Sequence, residues 1–150
     1  MSALIELSDL QRALDGRVLP GAELTIEPYE SALADHALLA PAVDTGTAHP
    51  VWPVLLAVRG MGISVDELCA LAGQRAGDTL LIGNCTLESA APVPIGHRLR
   101  TSAVVGPVVR KESRDGALLD FLPVRVTVHD LDADRQVATV TNGYVIKRGA

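Results

Sequence analysis

The sequence predicts an α+β domain, one curved antiparallel sheet wrapped around a long central helix. Three observations predict it. From Val54 to Ala72 the apolar residues are nearly continuous (Leu55, Leu56, Val58, Met61, Ile63, Leu68, Leu71), and a helix apolar on most sides is a buried one. The second half alternates instead, as in Val124-Arg125-Val126-Thr127-Val128, which is the period of half-buried strands. The chain has 150 residues, 48% of them hydrophobic, enough for one domain with its own core. Residues 1–150 therefore read as a single domain, with residues 1–16 a short N-terminal helical extension.

The elements follow in order. Leu7, Leu10 and Leu14 share one face of a helix over residues 7–15, which Gly16 stops. Val18 to Ile26 reads as a strand interrupted by Pro20-Gly21. Pro28 suits the start of a helix that runs to about Leu39 and ends before Pro41. Pro50 and Pro53 flank the start of the apolar helix. Gly60 and Gly62 break it, and Ser64 caps a second segment with Glu67 three residues on, a capping box. Gly73 ends that segment. Thr79 to Leu87, Arg98 to Val109, Ala117 to His129 and Gln136 to Lys147 read as strands. Arg114-Asp115-Gly116 and Asp130 to Asp134 read as hairpin turns.

Composition narrows the function classes. Aromatic residues are 3% of the chain, so Leu, Val, Ile and Ala build the core. Cys69 and Cys85 are the only cysteines; they make no disulfide framework, no Cys/His cluster has zinc spacing, and no metal is expected. The N-terminus does not read as a signal peptide. The longest apolar run, Val51 to Val58, is too short to span a bilayer. A cytoplasmic protein without membrane attachment is expected. The net charge of -5 argues against nucleic acid. The charge is uneven: residues 1–90 hold four basic and twelve acidic side chains, residues 91–150 nine basic and six acidic. Arg98, Arg100, Arg110, Lys111 and Arg114 fall in the basic half. They are candidates for a phosphate-binding patch, the alternative being solvated outer faces of strands.

Chemistry concentrates at Asp44-Thr45-Gly46-Thr47-Ala48-His49. A carboxylate beside an imidazole can hold and activate a water molecule, and His49 can be a neutral base at pH 7. The structural alternative is that Asp-x-Gly-Thr closes a turn and His49 caps the following helix. His36 reads as a solvated or helix-terminal residue, His97 as a turn residue and His129 as a surface residue. Cys69 and Cys85 read as small buried hydrophobes. Trp52 is a candidate wall for an acyl tunnel, with a core or interface anchor as the alternative.

Three stretches resemble one family in order and spacing. Asp44-x4-His49 matches the Asp and His positions of its hydratase motif. Pro92-Val93-Pro94-Ile95-Gly96-His97-Arg98-Leu99 is similar to its approach to a long strand. Val109 to Gly116 is similar to its strand–turn–strand hairpin. The chain thus resembles the hot-dog fold, and within it the MaoC-like acyl dehydratases, or (R)-specific enoyl-CoA hydratases, over roughly residues 16–148. Gly46-Thr47 stands where that family has Asn-Pro, and Arg59-Gly60-Met61 resembles its His-Gly-Met segment.

The resemblance implies reversible addition of water to the α,β double bond of an enoyl thioester. CoA or phosphopantetheine would belong to the substrate, with no separate cofactor. Asp44 and His49 would share the water, and a backbone N–H near Gly60 or Gly62 would bind the thioester oxygen. A homodimer or a heteromer with a related hot-dog subunit is implied, because a lone sheet leaves an unpaired edge. The altered motif keeps two alternatives open: a non-catalytic partner subunit of a heteromeric dehydratase, and a hot-dog acyl-CoA thioesterase.

Overall fold

The three leucines expected to share a helix face fix the first element. In the computed structural model, α1 (Leu7–Leu14) buries Leu10 and Leu14 completely. The structure describes residues 3–41 and 45–149. Asp15 closes α1, its carboxylate accepting the Val108 N–H at 2.8 Å. The chain then enters β1 (Val18–Leu24). Pro20-Gly21 interrupts that strand as expected, since the ladder slips between Leu19 and Ala22. The slip turns the Gly21 N–H out of the sheet to bond Met61 O at 3.1 Å.

Pro28 opens α2 (Pro28–Ala37), and the Glu27 N–H donates to the Glu30 carboxylate at 3.0 Å. The helix stops short of the expected end. Leu39 turns left-handed (φ 54), and the Ala40 N–H closes the turn on Asp35 O at 2.9 Å. The expected long helix is two short ones, α3 (Trp52–Arg59) and α4 (Val65–Leu71). The break falls where the glycines put it. Ser64 caps α4 reciprocally with Glu67: the Glu67 N–H donates to Ser64 Oγ at 3.0 Å and the Ser64 N–H to the Glu67 carboxylate at 2.6 Å.

The remaining strands are β2 (Thr79–Ser89), β3 (Leu99–Val105), β4 (Val109–Glu112), β5 (Leu118–Asp130) and β6 (Arg135–Lys147). They form one six-stranded sheet in the order β1-β3-β5-β6-β2, with β4 beside β5, and every pairing is antiparallel. The strand expected from Arg98 to Val109 is therefore two strands, parted at Gly106-Pro107. Proline has no N–H to give a ladder. Pro123 sits at the same gap on β5, between the residues paired to β4 and those paired to β3. Its carbonyl accepts the Gly106 N–H at 2.7 Å. Its own missing N–H faces the gap, which is how a 13-residue strand tolerates a proline.

Alternation sends Leu99, Thr101, Ala103 and Val105 of β3, and Leu122, Val124, Val126 and Val128 of β5, onto the buried face. One core cluster joins these strands to α1, Met61 and α4. A second joins Trp52 and Leu56 of α3 to Ile26, Leu99, Val128 and Val137. The same alternation buries two carboxylates, Asp120 and Asp130. Asp120 accepts from Arg110 (2.6 and 2.8 Å) and from Arg148 Nε (2.8 Å). Arg148 also bonds Asp78 at 2.8 Å and the carbonyls of Ala72 and Gly73, which close α4. Among the described residues, no helix is long and apolar enough to cross a membrane.

Candidate functional site

The segment ahead of α3 is held against the β2–β3 connection. The Ala48 N–H donates to Val93 O at 2.8 Å, and the Ile95 N–H to Gly46 O at 2.9 Å. Between these bonds and the start of α3 stands His49, half-buried. Its ring caps the helix: the Val51 N–H donates to His49 Nδ1 at 3.1 Å. An N–H can only donate, so Nδ1 is the unprotonated nitrogen and neutral His49 carries its proton on Nε2. While the cap is made, neutral His49 has its Nε2–H left to donate, and the helix cap is the alternative use the sequence offered for this ring.

Two cavities share the wall Thr47-Ala48-His49-Pro50. One, of about 430 Å³, is completed by Pro53 and by Ser89 to Val93 and is mostly apolar. The other, of about 210 Å³, is completed by Asp35, Ala40, Pro41 and Thr45. The Thr45 and Thr47 hydroxyls bond each other at 2.8 Å beside it. Asp44, the expected partner of His49, lies outside the described residues. Asp35 was missed in the sequence. It stands on α2, ahead of the Asp44-x4-His49 stretch and part of no motif, and the turn closed by Ala40 leads the chain from it toward the cavity.

Gly60 and Gly62 have a packing role that the sequence did not announce. The Gly60 N–H donates to Leu56 O at 2.7 Å and its carbonyl accepts from Thr101 Oγ1 at 2.7 Å. A Cβ there would collide with the Thr101 side chain, and one at Gly62 (φ +78) with the Gly21 backbone. These glycines let the break between α3 and α4 lie flat on β1 and β3. They also stand at the far end of α3 from His49, about 12 Å along the axis at 1.5 Å per residue. Nor does the near end supply the expected oxyanion donor. Pro50 and Pro53 have no N–H, the Val51 N–H bonds His49 Nδ1, and those of Trp52 and Val54 bond the carbonyls of His49 and Val51.

Trp52 lines neither cavity. It is 2% exposed, packs in the core with Ile26, Leu99 and Val128, and has the Arg59 guanidinium 5.7 Å from its ring centroid. The core anchor is the reading the structure supports, because Trp52 leads α3 on the face toward the sheet.

The expected phosphate patch is divided and largely neutralised. Arg98 pairs with Asp132 (3.1 Å) and Arg100 with Glu23 (2.6 Å) at one end of β5. Arg110 is tied to buried Asp120 near the other end, and Lys111 lies 5.4 Å from the Phe121 ring centroid. Ten residues of β5 between Asp120 and Asp130 put these ends roughly 33 Å apart. Arg114 stands exposed at the β4–β5 turn.

His97 closes a turn, its Nδ1 2.9 Å from Asp130. Burial pushes the Asp130 carboxyl up, but the His97 bond and the N–H groups of Ala133 and Asp132 outweigh it and hold it below the usual range. With Asp132, these are the one described group whose ligand atoms lie within 4.8 Å of one another. Asp132 is engaged by Arg98, so the group serves the β5–β6 hairpin. His36 is exposed on α2 and His129 pairs with Asp134 at 3.1 Å. Cys69 is buried, which raises its thiol pKa, whereas Cys85 is exposed on β2 rather than buried as expected.

No protein-family model matches the sequence, and no curated protein matches it. Solved structures do. A ChsH1-ChsH2 complex from Mycobacterium tuberculosis superposes with a TM-score of 0.67 at 14% identity, covering 96% of this chain and 90% of that one. A C-terminally truncated HadBC (3R-hydroxyacyl-ACP dehydratase) complex, also from Mycobacterium tuberculosis, gives 0.63 at 14%, covering 88% and 96%. A mutant of the fluoroacetyl-CoA-specific thioesterase FlK gives 0.61 at 16%, covering 88% and 93%. The fold is the hot-dog fold that the sequence resembled.

Proposed function

We propose that the chain adds or removes water at the α,β position of an enoyl thioester, carried on CoA or a carrier protein. The observation that supports this reading is His49 in the wall common to two cavities. The larger, mostly apolar one suits a short acyl chain, and the smaller one, with Asp35, Thr45, Thr47 and His49 in its lining, suits water. The dehydratase among the similar structures agrees with it.

The chemistry needs an acceptor for the water proton, a proton for the α-carbon, and a donor for the charge that gathers on the thioester oxygen. His49 Nε2–H is that donor, because the first turn of α3 offers none. The proton acceptor is then a carboxylate. Incubation of the purified protein with crotonyl-CoA, followed by loss of enoyl-thioester absorbance, tests the reading. His49→Ala is expected to lower kcat by about 10²–10³-fold, the cost of one oxyanion donor, with His49→Asn and thermal melts controlling for the lost cap. Unchanged turnover in both variants overturns the role of His49. Release of free thiol from saturated acyl-CoA would favour the thioesterase reading.

A second reading, the non-catalytic partner subunit, is favoured by β2. Its free edge is exposed from residue 81 to residue 90, with Leu81, Ile82 and Leu87 at 44%, 70% and 37% exposure. Two of the similar structures are complexes of two differently named chains. Turnover only after a related hot-dog subunit is added would favour this reading.

A further inference from the structure

We infer that Val93 and Ala48, facing each other across the larger cavity's inner boundary, set how long an acyl chain the site accepts. This rests on the thioester reading above and names the acyl length which that reading leaves open. The cavity of about 430 Å³ is lined by Thr47 to Pro50, Pro53 and Ser89 to Val93, all of them described. Within it, the antiparallel bridge between Thr47 and Pro94 sets Ala48 opposite Val93, so the two side chains share one face. The Ala48 N–H donates to Val93 O at 2.8 Å and holds them there. Both residues also belong to the second core cluster, at 8% and 4% exposure, together with Trp52, Leu99 and Val137. They are the boundary between the cavity and a close-packed interior that has no room to give.

The rest of the lining cannot take that part. Thr47, His49 and Ser89 are polar. Ala90 and Ala91 carry only methyl groups, on a backbone tied to Val137 O by N–H bonds of 2.8 and 3.1 Å. Pro50, Pro53 and Pro92 are locked by their rings. Prolines aside, Val93 is the one apolar side chain of the lining larger than a methyl group.

A stiff boundary makes a length limit. At about 30 Å³ per non-hydrogen atom, the share of a water in the liquid, the cavity holds about fourteen such atoms. The thioester oxygen and sulfur and the first atoms of the thiol arm take roughly six, which leaves about eight for acyl carbons. Up to that limit each buried methylene raises affinity about fourfold. Beyond it the next carbon stays in water and adds nothing.

Calorimetry with saturated straight-chain acyl-CoAs, from butyryl-CoA to dodecanoyl-CoA, tests this without depending on turnover. In the wild type, affinity climbs about fourfold per carbon and levels off near octanoyl-CoA. Val93→Ala carries the climb about two carbons further, and Ala48→Val stops it about two carbons earlier. The double variant, which exchanges the two volumes across the pair, returns the limit to its wild-type place. Each comparison is made between chain lengths in one variant, so a change in the folded fraction cancels. A climb that continues unbroken to dodecanoyl-CoA in the wild type, or a limit that stays put in both single variants, overturns the assignment and leaves the thioester reading standing. If no acyl-CoA binds better than CoA itself, the thioester reading falls and this assignment falls with it.

Discussion

At the scale of the residue, the most consequential side chain outside the site is Arg148. It is 1% exposed and sits between Asp78 and Asp120, both fully buried. A charge buried among its partners adds little net stability over an apolar packing, but removing one partner leaves the others uncompensated. Arg148→Met is expected to cost about 3–5 kcal/mol by urea denaturation, at the low end because Arg75 and Arg110 still reach Asp78 and Asp120. Pairing it with Asp120→Asn recovers part of the loss, and an additive double variant would show that the two do not interact. The sequence did carry a sign of this cluster. Asp120, Leu122, Val124, Val126 and Val128 share one parity, so the apolar alternation of the expected strand carries Asp120 onto the buried face.

At the scale of the element, the two long edges of the sheet differ. β1 is blunted by its slip at Pro20-Gly21, over which Met61 closes. β2 also slips, between Ile82 and Asn84, but its edge is exposed along its length and carries apolar side chains, and an edge of this kind is a template for pairing with another chain. The protein is expected to be a dimer, or to need a related subunit, with β2 at the seam. Leu81→Lys/Ile82→Lys is expected to shift it toward monomer in light-scattering chromatography, with its melting temperature little changed at high salt. A dimer that survives both lysines would place the seam elsewhere. Elements whose signals are local were legible in the sequence: the Ser64–Glu67 cap, Pro28 at the head of α2, and the alternation of β5. The split of β3 from β4 was not, because both halves alternate and only the gap opposite Pro123 shows that the ladder changes partner there.

At the scale of the whole molecule, the buried carboxylates set how the fold meets acid. Burial raises Asp78 and Asp120, but the bonds from Arg75 and Arg148 on one, and from Arg110 and Arg148 on the other, outweigh it and hold both below the usual carboxylate range. A depressed folded pKa gives stability that is complete above the unfolded value, about 3.9 for aspartate, and is lost as pH falls toward the folded value. Unfolding free energy should therefore be nearly flat from pH 7 to about 5 and drop steeply below about 4. Urea melts across that range check it, with Asp120→Asn giving a shallower fall. The candidate site was only half legible at this scale. His49 stood out, but Asp35 joins the lining of the smaller cavity through a turn that no spacing announces, and the partners of Arg98, Arg100 and Arg110 lie too far along the chain for their neutralisation to be read from sign alone.

The proline-flanked start of α3 has one more consequence. Helix N-termini usually welcome anions, because free N–H groups point at them. Here Pro50 and Pro53 offer none, the N–H groups between them are engaged, and no lysine or arginine is among the described residues around the larger cavity. An acyl group ending in a carboxylate would shed its hydration there with no cation to replace it. If the chain takes acyl thioesters as proposed, the pocket would favour neutral acyl groups over acidic ones without a repelling residue.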